Sequence, residues 1–308
     1  MATRKTTQKR KISRKKKQPG SLNFLRLLWF VVLLLFLGIS VCSVGYVIFF
    51  RAVFAQEILP TIKDSIVFEE PDTPVEEIYP DDHTHTDQSS LPKVAIVIDD
   101  LGYNEQLGSR FVAFPLELTC SFLPFATFTG KLEEMAFKSG KTVILHLPLE
   151  PKSKKWNPGP GTMYLADSLS ERAEKFHRNL LEVPHAVGIN NHMGSLFTSD
   201  QQAMLHLMGL IQERELFFLD SFTTSNSMGL LAAKESGIKV ARRNVFLDNK
   251  LSVDEICKQI DKLVVMAERK GRAVGIGHPH SETLDALSAC TPPYKDRIDF
   301  VSVTEVLQ

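Results

Sequence analysis

The sequence predicts an α/β protein: a compact or slightly incomplete (β/α) barrel of about seven strands, preceded by a single transmembrane helix. Short β-branched runs alternate with amphipathic segments from Lys93 onward, and this alternation favours a parallel sheet covered by helices. Seven or eight such units in roughly 215 residues fit a compact barrel better than a doubly wound sheet. An uncharged apolar run near the N-terminus predicts the transmembrane helix.

The N-terminal part predicts a membrane anchor. A basic tail, residues 1–26, precedes an uncharged apolar span, residues 27–50, which is long enough to cross a bilayer. Only Arg51 follows the span closely, so the positive-inside rule places the tail in the cytoplasm and the C-terminal domain in the periplasm or another extracytoplasmic space. A cleaved signal peptide with a site at residues 53–55 is the alternative. Because the span exceeds the roughly 7–15 residues of a signal h-region, we predict an uncleaved, single-pass anchor in the cell inner membrane.

The segment after the span, residues 51–92, predicts an acidic, proline-rich linker, since prolines interrupt helices and like charges repel. The formal net charge is zero, but basic and acidic residues lie on opposite sides of an apolar span. That asymmetry indicates a membrane as partner rather than nucleic acid. Of the four cysteines, Cys42 lies in the span. The other three cysteines allow two interpretations. They can include one disulfide, for which Cys257 and Cys290 are the favoured pair, or they can be free buried thiols, as Cys120 would be in either case.

Residues 93–308 form the predicted α/β domain. Strands are expected at residues 94–98, 118–122, 142–147, 186–190, 217–219, 239–241, 273–276 and 300–303. Helices are expected between them, at residues 106–114, 131–138, 170–181, 200–214, 227–235, 253–270 and 281–287. Asp167 or Ser168 is a candidate N-cap for the third helix, and Gly271 stands where a helix C-terminus needs glycine.

The residues just past the strand ends carry most of the chemistry. These candidates are Asp99, Asp100, His146, Asn190, Asn191, His192, Asp220, Arg242, Arg243, His278 and His280. In α/β barrels the C-terminal ends of the strands form the active-site face, so side chains far apart in the sequence can converge there. Asp with two His is a suitable ligand set for a divalent metal, zinc above all, and it leaves positions open for water and substrate.

Each candidate also has a structural interpretation. Asp99 or Asp100 can cap the next helix, and His146 can be a satisfied core histidine. Asp220 either begins a turn or orients a ligand histidine, and the two arginines either form a surface ion pair or fix an acidic group of the site. A glycine-rich phosphate loop and a G-x-S-x-G elbow are absent from the sequence, which argues against nucleotide binding and against Ser195 or Ser221 as an acyl nucleophile.

Six motifs in order resemble the divergent polysaccharide deacetylase family, a distant relative of the NodB-like carbohydrate esterases. The motifs are Val-Ile-Asp99-Asp100-Leu-Gly, Leu-His146-Leu-Pro-Leu-Glu150-Pro, Gly-Ile-Asn190-Asn191-His192-Met-Gly-Ser195, Phe-Leu-Asp220-Ser, Ala-Arg242-Arg243 and Gly-Ile-Gly-His278-Pro-His280. The resemblance covers nearly everything from Lys93 to the C-terminus. It implies a NodB-like distorted barrel with a metal-dependent amide hydrolase site for N-acetylated sugars.

The resemblance also implies roles for individual residues. Asp99 would be the general base, and Asp100 and His146 would be metal ligands. The family's usual second histidine position is occupied by Glu150 here, so we infer that His192 completes the metal site. His278 would protonate the leaving amine. His280 or Asp220 would support His278. The resemblance gives the arginines no role, but their position past a strand end makes Arg243 a candidate for fixing the catalytic aspartate.

The expected function is therefore that of a metal-dependent hydrolase which deacetylates an N-acetylated cell-envelope polysaccharide, with metal-bound water attacking the acetamide. A catalytically inactive envelope scaffold that binds glycan or protein is the alternative. A pure binding module, however, has little reason to retain the full set of ionisable residues at the strand ends.

Overall fold

A computed structural model describes residues 29–38, 40 and 91–308. Residues 29–38 are helical, and no helix within the described residues combines the length and apolarity needed to cross a bilayer. The predicted basic tail, most of the predicted span and nearly all of the predicted linker lie outside the described residues. Those three assignments therefore stay predictions.

The domain is a parallel half-barrel, and eight of its strands form one continuous path in the order β6-β5-β4-β3-β2-β1-β8-β7. Its strands are β1 (Lys93–Leu101), β2 (Leu118–Phe122), β3 (Thr142–Leu149), β4 (Gly188–Met193), β5 (Phe217–Asp220), β6 (Val240–Arg242), β7 (Val245–Phe246), β8 (Arg272–Gly277) and β9 (Asp299–Val301). Strand β9 lies off this path and pairs with the first residues of β1. Each of the eight strand ranges expected from the sequence corresponds to a strand of the structure. The sequence did not predict β7, because a strand of two residues is too short to be recognised from composition.

Seven helices follow the strands within residues 91–308. They are α1 (Glu105–Val112), α2 (Thr129–Lys138), α3 (Leu169–Leu181), α4 (Gln201–Gln212), α5 (Gly229–Glu235), α6 (Val253–Lys270) and α7 (Ser281–Cys290). Ser168 caps α3 in a capping box with Glu171, which satisfies backbone N–H groups that the helix leaves unpaired. Gly271 ends α6 in the left-handed conformation, with φ 78°. Both terminal signals were visible in the sequence.

The sheet separates two apolar cores. The larger core lies between the sheet and the helices, and it includes Ile98 of β1 and Phe218 of β5. The smaller core fills the inside of the half-barrel, where Val97 of β1 and Leu219 of β5 meet. Because side chains alternate along a strand, neighbouring residues of one strand belong to different cores. That alternation decides which strand-end residues face the opening.

The C-terminal segment closes the floor of the half-barrel. Val301, Val303 and Val306 belong to the inner core. The Val303 N–H donates to the Thr119 hydroxyl on β2, and Gln308 exchanges two backbone hydrogen bonds with Val240 on β6. The segment thus runs beneath the sheet from β1 to β6, at the end of the strands opposite to the strand-end polar residues.

A disulfide joins α6 to α7. It links Cys257 to Cys290, 33 positions apart, as the favoured pairing predicted. The remaining described cysteine, Cys120, is a buried free thiol on β2, and burial raises its pKa to about 12, so it behaves as an apolar residue of the core.

We expect the double substitution Cys257→Ser with Cys290→Ser to lower the free energy of unfolding by about 3–4 kcal/mol, since the open chain gains conformational entropy when unfolded. Urea unfolding followed by circular dichroism measures the change. Reducing agent should destabilise the wild-type protein by a similar amount and leave the variant unchanged. Equal stability of wild type and variant would contradict the assignment.

Candidate functional site

The end of β1 brings two adjacent carboxylates to one opening. Asp99 follows Val97 on the inward-facing side of the strand, whereas Asp100 would face outward in a regular strand. The register between β1 and β2 shifts after Ile98, and Asp100 adopts a left-handed conformation with φ 54°. This bend turns Asp100 inward as well. Gly102 makes the turn possible, because a Cβ there would lie 2.4 Å from the Thr129 hydroxyl.

Three donor atoms from β1, β3 and β4 form a small triangle, called the donor triangle below. Asp100 Oδ1 lies 3.2 Å from His146 Nε2 and 3.0 Å from His192 Nδ1, and the two imidazole nitrogens are 3.2 Å apart. The carboxylate and the His146 ring are buried, while the His192 side chain is 14% exposed. The convergence that the sequence predicted for these three residues is confirmed.

The triangle fits a divalent metal. Ligands at about 2.0 Å from a tetrahedral zinc ion lie about 3.3 Å from one another, close to all three sides of this triangle. Asp100 Oδ1 is fully buried and makes no hydrogen bond of acceptable geometry, although two nitrogens lie nearby. A buried carboxylate oxygen without a proton donor is costly unless a cation binds it. Asp100, His146 and His192 are thus the residues that would hold the ion.

Asn190 fixes the orientation of the His146 ring. Its Nδ2 donates to both carboxylate oxygens of Asp99, at 2.8 and 3.0 Å, so its Oδ1 faces the other way as an acceptor. That oxygen accepts hydrogen bonds from the Ser121 hydroxyl at 2.7 Å and from His146 Nδ1 at 2.9 Å. Because Nδ1 carries the proton, Nε2 presents its lone pair to the triangle, as metal ligation requires.

The charges of the site compensate one another. Burial by itself would raise the pKa of Asp100, but the imidazoles of His192 and His146 hold that pKa well below its usual range. Burial by itself would lower the pKa of His146, yet Asp99 and Asp100 raise it. The pocket therefore keeps its carboxylate ionised and attracts positive charge.

A second pair, His278 and Asp248, lies at the ends of β8 and β7. Asp248 Oδ1 is 2.9 Å from His278 Nδ1, and Oδ2 accepts from the His278 N–H and the Thr283 hydroxyl. Burial opposes protonation of His278, but Asp248, with smaller contributions from Asp100 and Asp99, raises its pKa. Since Nδ1 donates to Asp248, Nε2 is the nitrogen that can exchange a proton with substrate.

Sequence reasoning missed Asp248 and assigned its role to His280 or Asp220. Strand β7 has only two residues, so the aspartate was not recognised as a strand-end residue. A signal was present, because Phe246-Leu247-Asp248 repeats the Phe-Leu-Asp pattern that ends β5. Asp248 orients the His278 ring through the hydrogen bond at Nδ1. Asp220, the other carboxylate considered for this role, makes its hydrogen bonds elsewhere.

Asp220 belongs to the outer face of β5. Its carboxylate accepts from the Ser227 hydroxyl at 2.7 Å and from the Phe222 N–H at 2.9 Å. A Cβ on Gly229 of α5 would lie 2.6 Å from its Oδ2, and burial raises its pKa. Asp220 therefore fixes the turn that leads from β5 into α5, and the structure does not bring it to the donor triangle.

The two arginines brace the gap between β6 and β7. Arg243 donates to the carbonyl oxygens of Ser221 and Phe222, at 2.7 and 2.9 Å, and lies over the Phe246 ring. Arg242 stacks over Phe222. These contacts position the loop after β5. The role of Arg243 in fixing Asp99 stays a prediction.

The remaining candidates hold the loops around the opening. Glu150 Oε2 accepts from the Leu165 N–H, and Ser195 Oγ accepts from the Lys152 N–H. Asn191 Oδ1 accepts from the Ser221 N–H and its Nδ2 donates to the Met193 carbonyl. His280 precedes α7, with its ring centroid 6.4 Å from that of His278.

The comparisons identify the chain's relatives. A family model described as divergent polysaccharide deacetylase matches residues 96–307. The uncharacterized protein YibQ of Escherichia coli is 35% identical over 216 residues, which cover 70% of this chain and 67% of YibQ. An uncharacterized protein of Haemophilus influenzae is 34% identical over 197 residues, which cover 64% of this chain and 70% of that protein.

A solved structure shares the fold. The crystal structure of the uncharacterized protein ATU2773 from Agrobacterium tumefaciens superposes with a TM-score of 0.68 at 26% identity, over 71% of this chain and 90% of that chain. The family match covers more than half of the chain and spans both the donor triangle and the pair of His278 and Asp248. The chain therefore belongs to the divergent polysaccharide deacetylase family.

Proposed function

We propose that the domain is a metal-dependent hydrolase that removes acetyl groups from an N-acetylated cell-envelope polysaccharide. The donor triangle of Asp100, His146 and His192 is the observation that carries the proposal. Family membership supports an acetylated polysaccharide as substrate. The alternative of an inactive scaffold gives no reason to hold three metal-ligating side chains in contact and to fix the tautomer of one of them.

In the proposed reaction, the donor triangle and Asp99 serve the attack of water, and the pair of His278 and Asp248 serves the departure of the amine. A bound divalent cation, for which this donor set favours zinc, would lower the pKa of water and polarise the acetamide carbonyl. Asp99 lies next to the triangle, 3.7 Å from His146 Nε2, and Asn190 holds its carboxylate in place. We assign to Asp99 the proton of the attacking water.

His278 completes the proposed hydrolysis from the other side of the opening. Water forms a C–O bond to the acetyl carbon, and the C–N bond then breaks. The leaving nitrogen takes a proton from His278, which Asp248 keeps in the required tautomer, so that acetate and a free amine are released. In this proposal Asp99 acts as the base, and His278, which Asp248 supports, acts as the acid.

We further propose that the domain works in the periplasm, anchored to the inner membrane by residues 27–50. The uncharged span and the preceding basic tail support the anchor. The disulfide between Cys257 and Cys290 supports an oxidising compartment.

Replacing Asp100, the carboxylate of the donor triangle, should abolish metal binding and activity together. We expect the wild-type protein to retain a divalent ion after dialysis and to release acetate from N-acetylglucosamine oligomers. Asp100→Ala should lower both metal affinity and kcat/KM by more than about 100-fold while the circular dichroism spectrum persists. Elemental analysis and acetate release are the measurements.

Asp220→Asn is the matched control for Asp100→Ala, because it changes another buried strand-end aspartate that the structure places outside the triangle. It should retain the metal. The metal site is refuted if wild-type protein retains no ion, and metal-loaded protein inert on every envelope glycan would count against catalysis. Intact cellular function of Asp99→Asn would then favour the scaffold alternative.

Asn190→Ala should weaken metal affinity by about 10–100-fold, because His146 loses the acceptor that fixes its ring. Competition with a chelating dye measures this affinity without relying on activity. Asn191→Ala is the control, since this neighbour binds backbone groups of the surrounding loops. Equal affinities of the two variants would show that Asn190 does not position the ligand.

The interaction of His278 with Asp248 predicts how the activity depends on pH. His278 must be protonated to act as an acid, so activity falls as pH rises through its pKa, which Asp248 raises. Asp248→Asn removes that charge and should shift the basic limb of kcat/KM to lower pH by at least about one unit. A pH–rate profile tests this, and an unshifted limb would exclude His278 as the acid that Asp248 supports.

A further inference from the structure

The connection between β3 and α3, residues 150–168, carries neither helix nor named strand. Connections longer than about 12–15 residues without regular structure usually have a function of their own. This one is firmly held at its second half: Glu150 accepts from the Leu165 N–H, and Arg172 donates to the carbonyls of Tyr164 and Leu165. Its shape is thus fixed by specific hydrogen bonds.

The first half of this connection presents a basic cluster, which consists of Lys152, Lys154 and Lys155. All three lysines are exposed, and Trp156 beside them is half-buried. The N–H of Lys152 donates to Ser195 Oγ at 2.9 Å and its Nζ donates to Thr224 Oγ1 at 3.1 Å.

Those two contacts locate the basic cluster on the rim of the candidate site. Ser195 follows β4 and Thr224 follows β5, so the connection leans from the end of β3 across the ends of the next two strands. His146 and His192 lie in the C-terminal halves of β3 and β4. The lysines and the donor triangle therefore belong to the same face of the half-barrel.

The positive charge of this rim is not neutralised within the described domain. No acidic side chain of residues 91–308 lies within ion-pair distance of the three lysines, whereas Lys131, Lys138, Lys175 and Lys258 each pair with a carboxylate. Asp167, in the same connection, pairs with Lys175. The loops at residues 194–199 and 221–228, which border the cluster, contain no charged residue.

Given the proposed function, we infer that the natural glycan is anionic and that the basic cluster binds a carboxylate or phosphate group on it. Ammonium groups of lysine bind such anions as point charges and tolerate variation in geometry. An anion held on the rim orients the glycan, so that a neighbouring acetamide enters the pocket where Asp100 and His146 lie. Charge on the substrate thus contributes to specificity and to the rate of encounter.

The test compares two N-acetylated oligosaccharides of equal length, one neutral and one carrying carboxylate groups, on the full chain. We expect a KM at least about fivefold lower for the anionic oligomer at low salt, with similar kcat. The double variant Lys154→Gln with Lys155→Gln should lose this preference. So should the wild type at about 1 M salt, where the screening length falls to about 3 Å.

Lys234→Gln with Lys262→Gln is the matched control, because both lysines are exposed on outer helices, α5 and α6. This variant should keep the preference of the wild type. A phosphorylated oligomer as a third substrate distinguishes the two anions: a lower KM for only one of them identifies the group recognised, and equal KM values assign recognition to charge alone. Equal KM values for neutral and anionic oligomers would overturn the inference.

A binding measurement separates this inference from the proposed reaction. Titration calorimetry with Asp99→Asn protein records affinity for the same oligomers without turnover. Lysine-dependent binding of the anionic oligomer together with inert wild-type protein would sustain the inference and remove the proposed reaction. Acetate release with no lysine-dependent difference in binding or KM would do the reverse.

Discussion

The burial of two adjacent carboxylates at the end of β1 is the constraint on which the rest of the site depends. Moving an unpaired charge into a protein interior costs several kcal/mol, so each carboxylate needs its own compensation. Asn190 supplies two hydrogen bonds to Asp99, and the imidazoles of His146 and His192 flank Asp100. A third histidine, His278, lies near enough for Asp100 and Asp99 to contribute to the rise of its pKa. Polar residues of β3, of β4 and of the end of β8 are thereby tied to one pair of aspartates.

The fold allows this burial because it supports the strands from below. The C-terminal segment closes the floor and pairs with β1 and β6, so the apolar inner core forms beneath the carboxylates. The cost of a polar layer at the top is offset by this core and by the larger one under the helices. The barrel stays open between β6 and β7, and Arg243 braces that gap through the carbonyls of the loop after β5.

Electrostatically, the opening has two unlike parts. Asp99, Asp100 and Asp248 are buried carboxylates that favour cations and protonated imidazoles. The basic cluster on the rim is solvent-exposed and favours anions. A substrate that carries both a neutral acetamide and a negative group would meet both parts at once, and the orientation of the chain would follow from that polarity. Exposed charges act mainly on encounter and orientation, whereas in the proposed reaction the buried groups would carry out the chemistry.

The sequence by itself determined the local features: the β-branched runs, the caps of the helices, the aspartates and histidines at strand ends, and the family motifs that predicted Asp100, His146 and His192 as one cluster. Tertiary structure alone decided the rest. The run Phe217–Asp220 is apolar up to its last residue, so the sequence does not show which face Asp220 takes, and only packing against α5 turns it outward. Asp248 acquired its role because two-residue β7 pairs with β8, and the lysines reached the rim through Ser195 and Thr224. The physical reason is that the alternation of side chains along a strand and the capping of a helix depend on residues close together in the sequence. The register between parallel strands depends instead on the long crossover connections between them, which bring together residues far apart in the chain.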